Sequence, residues 1–205
     1  MRSQSSQPGG KPASPSQAGF GLIELVVTIG IMVLVSSVVL SRHTGFNSEV
    51  LLRNQAYSVA FTIREAQQSA VSAVGGAGDF RSAYGVYFTT DTTNNANQLY
   101  RSYRDLNGNL AYDAPPSGDN PLLNRLDGRF VLSNIDAPGA SLVPPGVPDL
   151  AAVSIAFQRP NFDAIYFDAN GNEFTADQVN IEIQLQSSGE TEQVVVLPTG
   201  QILVE

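Results

Sequence analysis

The chain has 205 residues, with 19 Asp and Glu against 11 Lys and Arg, a formal charge of −8, one histidine, and neither cysteine nor tryptophan. That length suits one domain with appendages rather than two full domains. The missing cysteine excludes disulfides, thiolate metal sites and cysteine nucleophiles, and the acidity argues against nucleic-acid binding as a general property, since phosphate backbones would be repelled.

Residues 1–19, "MRSQSSQPGGKPASPSQAG", are polar and rich in Pro, Ser and Gly without apolar periodicity, so disorder is expected there. The twenty-one residues from Phe20 to Leu40 are apolar or small except Glu24, Thr28, Ser36 and Ser37. As a helix they would span about 31 Å, enough to cross a hydrocarbon core. A secretory signal peptide normally has only roughly 7–15 apolar residues and an A-x-A-like cut site, which is missing here. An uncut signal anchor is compatible with the length. Arg2 and Lys11 precede the run while Arg42 and Arg53 follow it, which favours a cytoplasmic N-terminus. Glu24 stands out. A carboxylate near the bilayer centre costs at least roughly 2.5–3.5 kcal/mol, so a partner is expected for it.

Gly19-Phe20-Gly21-Leu22-Ile23-Glu24 closely resembles the processing motif of type IV prepilins and type II secretion pseudopilins. In that family a glycine precedes the cut, a phenylalanine usually follows it, and a glutamate sits fifth in the mature chain. The resemblance implies removal of a leader, residues 1–19, by a prepilin peptidase acting between Gly19 and Phe20. It also implies N-methylation of the Phe20 amine, and pairing of Glu24 with the N-terminal amine of a neighbouring subunit during assembly. Glu24 would then set register rather than add stability, because a buried charge is costly alone and less so when matched. Two departures are visible. Gly21 stands where the family often has threonine, and Ser41 where many major pilins carry a helix-kinking proline, which points to a minor pilin or pseudopilin.

After a break at "RHTGFN", a second helical pattern covers the stalk, residues 41–75. Leu52, Ala56, Val59, Ile63, Ala66, Ala70 and Val74 recur at spacings of three and four. Ser48 is the expected N-cap and Gly75-Gly76 the stop. Residues 76–205 then change period. "RSAYGVYFTTD", "NQLYRSYRD", "RFVLSNI", "VSIAFQ", "AIYFDANGNEF", "VNIEIQLQ" and "EQVVVLPTGQILVE" read as β-strands separated by Gly, Pro, Asn and Asp. Alternation from Val179 to Leu185 predicts an antiparallel strand with one wet face, and "SSGE" and "PTGQ" read as turns. The expected class is α+β: a long N-terminal helix, transmembrane in its first half and amphipathic in its second, packed on an antiparallel β-sheet head of pilin-like type. The stalk segment and "VVVLPTGQI" also resemble the GspH/FimT group of minor pseudopilins and minor pilins.

Chemistry-bearing clusters are few. Asp105, Asn107, Asn109 and Asp113 in "DLNGNLAYD" place oxygen donors of the kind Ca²⁺ takes at near-alternate positions, and "DANGN" repeats part of this at Asp168, Asn170 and Asn172. An EF-hand loop wants glycine sixth and glutamate twelfth; here glycine is fourth and Pro116 is twelfth. Tight turns use the same residue types. His43 beside the apolar run cannot build a triad and marks the membrane–water interface, and no Gly-rich phosphate loop follows a strand. Asp163 and Asp168 are separated by an apparent strand, Ala164–Phe167, so paired-carboxylate catalysis is unsupported. The stretches Leu106–Leu126 and Ala137–Asp149 read as long loops, where partners would bind if anywhere.

The expected protein is therefore not an enzyme. It is a subunit of a type II secretion pseudopilus or, alternatively, a minor type IV pilin. It would be held in the bacterial inner membrane by a single pass with its head in the periplasm. Its partners would be prepilin peptidase, other pilins or pseudopilins and the membrane, with no nucleic acid. A DNA-uptake pilin would want a basic stripe, which the acidic C-terminal third lacks. The rival from another class is a signal-anchored periplasmic binding or enzymatic domain, which predicts an uncut N-terminus and tolerance of Glu24→Leu.

Overall fold

Fifty-one residues, Leu22–Ser72, wind into one α-helix, α1. The computed structural model of the chain describes residues 21–72, 82–115, 119–143 and 146–205. The expected leader, the Gly19-Phe20 border and the Gly75-Gly76 stop lie outside these residues. The chain divides into two compact units, Met1–Thr44 and Gly45–Glu205, and α1 begins in the first and ends in the second. The expected break at "RHTGFN" does not occur, because α1 continues through residues 42–47. A lone glycine in a helix costs only about 1 kcal/mol, and the segment has no proline to remove a ladder hydrogen bond. Ser48 is accordingly interior to the helix rather than its N-cap, and its Oγ donates to Glu190 Oε2 at 3.2 Å.

Within the second unit the predicted stripe is the buried face of α1. Leu52, Ala56, Val59, Ile63, Ala66 and Ala70 are all buried, with Ala60 beside them; Val74 lies outside the described residues. Small side chains dominate this face, so the helix lies close to what it covers. Polar groups then fasten its flanks. The Arg64 guanidinium donates to the Ile202 carbonyl at 2.8 Å, and Arg53 Nε lies 3.3 Å from Glu192 Oε1. Gln67 Nε2 donates to the carbonyls of Phe162 at 2.9 Å and Gly200 at 3.0 Å.

Eleven strands follow among the described residues: β1 Tyr84–Thr89, β2 Leu99–Arg104, β3 Asn120–Arg125, β4 Phe130–Asp136, β5 Ser141–Leu142, β6 Ala152–Phe157, β7 Ala164–Phe167, β8 Glu173–Thr175, β9 Val179–Leu185, β10 Thr191–Val196 and β11 Ile202–Val204. They form a seven-stranded sheet in the order β3-β2-β1-β6-β7-β8-β5 and a four-stranded sheet in the order β11-β10-β9-β4. Every pairing is antiparallel. The class is α+β, as the change of period from α1 to the strands implies. Two strands lie where the sequence reads as loop. β3 contains Pro121, which an edge strand tolerates because its outer N–H groups need no partner, and β5 is too short to show a period.

Register assigns the faces of the large sheet. One cross-strand row runs Leu122, Ser102, Val86, Ile155, Tyr166, Phe174, Leu142. Its central members are buried in a single core with the α1 stripe and with Leu132, Ile181, Ile183 and Val194 of the small sheet. The Tyr166 hydroxyl crosses between the sheets to donate to the Val196 carbonyl at 2.9 Å. The opposite row runs Leu123, Arg101, Tyr87, Ser154, Phe167, Glu173. In the small sheet the expected wet face of β9 is only half wet. Asn180 is buried and Glu182 half-buried, because β9 is central and its polar residues meet Asp136 and Ser133 of β4.

Candidate functional site

The first unit offers one feature. Leu22–Leu40 is a nineteen-residue helical stretch with a mean hydropathy of 2.5, none of it buried, and it is long and apolar enough to span a membrane. Glu24 lies in its first turn, exposed, as the single charged residue of the stretch. The Glu24 and Leu25 amides both donate to the Gly21 carbonyl, at 3.0 and 3.2 Å, so the helical hydrogen bonds begin at Gly21. Thr28 turns its hydroxyl back onto the Leu25 carbonyl at 2.9 Å, which would satisfy its donor in an apolar medium. Glu24, when ionised, has only acceptors to offer, and it lies in the first turn, where the leading amides of a helix have no partner within it.

The second unit brings Asp105, Asn107, Asn109 and Asp113 into one loop after β2. Both Asp105 oxygens accept from backbone amides: Oδ1 from Asn107 at 3.1 Å and Gly108 at 2.8 Å, Oδ2 from Leu110 at 3.0 Å. Asp113 Oδ2 accepts from the side-chain amides of Asn107 at 2.7 Å and Asn109 at 2.6 Å. A buried third carboxylate, Asp119, closes the loop by accepting from the amides of Leu106 at 3.2 Å and Asp113 at 2.9 Å. Burial pushes the Asp119 carboxyl up, Asp105 and Asp113 add to that, and its two amide donors oppose it. A calcium shell needs six or more oxygens aimed at one centre. Among the described residues no three acidic or histidine side chains converge in that way. The hydrogen bonds that Asp105 and Asp119 accept from backbone amides hold the turn.

What the loop does is cover the sheet. Ala111 packs with Ala156 and Phe167 on the outer face of the large sheet. The Tyr112 ring lies 4.5 Å from the Tyr87 ring and 5.5 Å from the Tyr103 ring. Tyr103 donates its hydroxyl to the Leu110 carbonyl at 2.7 Å, and burial followed by the nearby Asp119 pushes its phenol far up, so it stays a donor. This needs Gly85. Any Cβ there would stand 2.6 Å from the Tyr103 ring and 2.7 Å from the Ile155 carbonyl. Neither Asp119 nor Gly85 emerges as a site from the sequence. A glycine inside a strand does signal a close approach, but nothing in periodicity marks Asp119.

The Asp168 turn is the smaller version. Oδ1 accepts from the amides of Asn170 at 2.9 Å and Asn172 at 2.8 Å, and Oδ2 from the Asp149 amide at 3.2 Å. Burial alone would raise its carboxyl, but these donors outweigh it and hold the group below its usual range. Asp163 lies at the far end of β7 and remains exposed, so the two acids do not form a pair. His43 falls within α1.

Several large apolar side chains stay exposed in the second unit: Tyr57 and Phe61 on α1, Leu122 and Leu123 on β3, and Val143 and Val147 near β5. None of these groups forms a nucleophile–base pair or a closed cavity with convergent polar groups. No family model, no curated protein and no solved structure matches the chain.

Proposed function

We propose that this chain is a minor pseudopilin-like structural subunit of a type II secretion pseudopilus. In this reading it is cut after Gly19, N-methylated at Phe20, and held in the bacterial inner membrane by Leu22–Leu40 with its head in the periplasm until assembly. One observation carries the reading: a fully exposed, membrane-length apolar helix has a single charge, Glu24, in its first turn, and continues as the core helix of a β-rich head. A lone anchor has no use for that carboxylate, which costs free energy in lipid. A helix that packs beside copies of itself does, when each neighbour brings a cationic amine to the same depth. A minor type IV pilin shares the mechanism and differs in the machine it serves.

The experiment is the intact mass of the membrane-extracted chain. The expected mass lacks residues 1–19 and carries one methyl group. Gly19→Leu should restore the full-length mass. An uncut N-terminus in the parent would overturn the proposal in favour of a signal-anchored periplasmic domain.

A further inference from the structure

Two Asn-Gly pairs, Asn107-Gly108 and Asn170-Gly171, lie on exposed turns of the second unit. Asn-Gly is a reactive sequence. Once base removes the glycine amide proton, that nitrogen can attack the asparagine Cγ, and glycine has no Cβ to obstruct the approach. Sequence alone makes the two pairs equivalent. Their surroundings do not. Asn107 is held at both ends of its side chain: Nδ2 donates to Asp113 Oδ2 at 2.7 Å, and Oδ1 accepts from the Asn109 amide at 3.1 Å. The nitrogen that would attack, that of Gly108, donates to the Asp105 carboxylate at 2.8 Å. A carboxylate there opposes loss of the amide proton. Turning the Asn107 side chain toward Gly108 would also break its bond to Asp113, a bond of the stronger, charge-assisted kind.

Asn170 lacks both protections. Among the described residues its side chain has no hydrogen-bond partner, while its backbone amide donates to Asp168 Oδ1 at 2.9 Å. The Gly171 amide donates to a neutral acceptor, the Asp168 carbonyl, at 3.0 Å. We infer that Asn170 is a spontaneous modification site, where the Gly171 nitrogen displaces the side-chain amide and water then leaves aspartate or isoaspartate in its place. The Gly171 N–Cγ bond forms as the Cγ–Nδ2 bond breaks, and Nδ2 departs as ammonia with a proton equivalent to the one Gly171 lost. Water adds to either carbonyl carbon of the resulting succinimide and breaks its bond to the Gly171 nitrogen. Hydroxide is the base, and nothing is oxidised or reduced. The isoaspartate product lengthens the main chain by one methylene between the amides of residues 170 and 172, both of which Asp168 Oδ1 accepts, at 2.9 and 2.8 Å. Either product adds a carboxylate beside that of Asp168, a like charge. The turn, which also holds the Asp149 amide through Asp168 Oδ2, therefore loosens as the chain ages.

The test ages the purified full chain in detergent at mildly alkaline pH. Peptide masses follow amide-to-acid conversion, and labelling by an isoaspartyl methyltransferase reads the isoaspartate. Conversion at Asn170 should exceed that at Asn107 by about tenfold or more, a factor that one charge-assisted hydrogen bond suffices to give. It should also rise with pH, as an amide deprotonation requires. The aged parent should unfold at a lower midpoint. Asn170→Ser, which gives up no side-chain bond, should age without that loss. Asp113→Ala releases the Asn107 amide and should speed conversion there while leaving Asn170 unchanged. Equal or faster conversion at Asn107 in the parent would overturn the inference. So would an unmodified Asn170 after a period in which an unstructured Asn-Gly peptide converts fully, or an Asn107 rate indifferent to Asp113→Ala. The chemistry needs neither cleavage after Gly19 nor assembly, so this result and the intact-mass measurement fail independently.

Discussion

At Gly200 the backbone is left-handed, with φ +79°, and an added Cβ would stand 1.9 Å from the Phe162 carbonyl oxygen and 2.5 Å from Gln67 Nε2. The turn between β10 and β11 is therefore pressed onto α1, and Gln67 is the clasp. Gly200→Ala combines αL strain with that clash and should destabilise by at least about 1–3 kcal/mol, read as a lowered urea midpoint at unchanged slope. Asp168 gives a second test at this scale. Its folded value is depressed, so its contribution is present above the ordinary aspartate value of about 3.9 and lost as pH falls through the folded one. Asp168→Asn should cost roughly 1–3 kcal/mol at neutral pH, from lost charge-assisted bonds, and progressively less below about pH 4. A difference from the parent that stays constant from pH 7 to pH 2.5 would mean that the carboxylate charge is not what holds the turn. Asp168 and Asp105 were legible as turn formers because Asp and Asn beside Gly carry that chemistry in their own side chains. Asp119 was not, since its role depends on a loop returning fifteen residues later to the end of β2, and no local pattern encodes that return.

Elements were legible where burial imposes a period. The stripe of α1 and the alternation of β9 each see a core on one side, and both are found where their pattern places them. Phase is testable by contrast. Ile63 is fully buried and Phe61 is 65% exposed, two positions apart on one helix. Ile63→Ala should cost about 2–5 kcal/mol, while Phe61→Ala should change unfolding by no more than about 0.5 kcal/mol. Equal costs in thermal or urea unfolding would mean the helix is turned differently. The elements that escaped a sequence reading did so for opposite reasons. β3 is an edge strand, and an edge tolerates Pro121 and exposes Leu122 and Leu123, so it has neither the composition nor the alternation of a buried strand. The unbroken α1 escaped because Gly45 suggests a boundary that propensity alone is too weak to enforce once helix flanks it on both sides.

At the scale of the whole molecule, the second unit carries exposed apolar side chains, and the apolar stretch before it carries one acid that a lipid environment would disfavour. These make sense together if the stable resting place of the chain is among other subunits. The change from helix to strand period made the α+β class legible in the sequence. The seven- and four-stranded division was not, because strand order depends on pairings between residues far apart in the chain. Glu24 is where the function can be tested with least ambiguity. Glu24→Leu should insert into the membrane at least as well as the parent, since a costly polar group is gone. It should also be cut normally, because the residues flanking the expected cut are unchanged. Incorporation into filaments should fail, as a cationic amine would then be buried among apolar helices without its counter-charge. Glu24→Gln keeps an acceptor but not the charge, and charge-assisted bonds are roughly twice as strong as neutral ones, so it should fall between. The measurement is recovery of the subunit in sheared or cross-linked filaments, scaled to its membrane level. If Glu24→Leu is recovered at the parental level, the amine pairing is wrong, and the carboxylate serves only the processing signal. If insertion itself falls, the segment does not face lipid as its exposure and hydropathy imply. Loss of recovery at normal insertion and normal cleavage is the one pattern that a neighbour's amine explains, because on the proposed function only that partner would be absent until the chain left the bilayer for a filament.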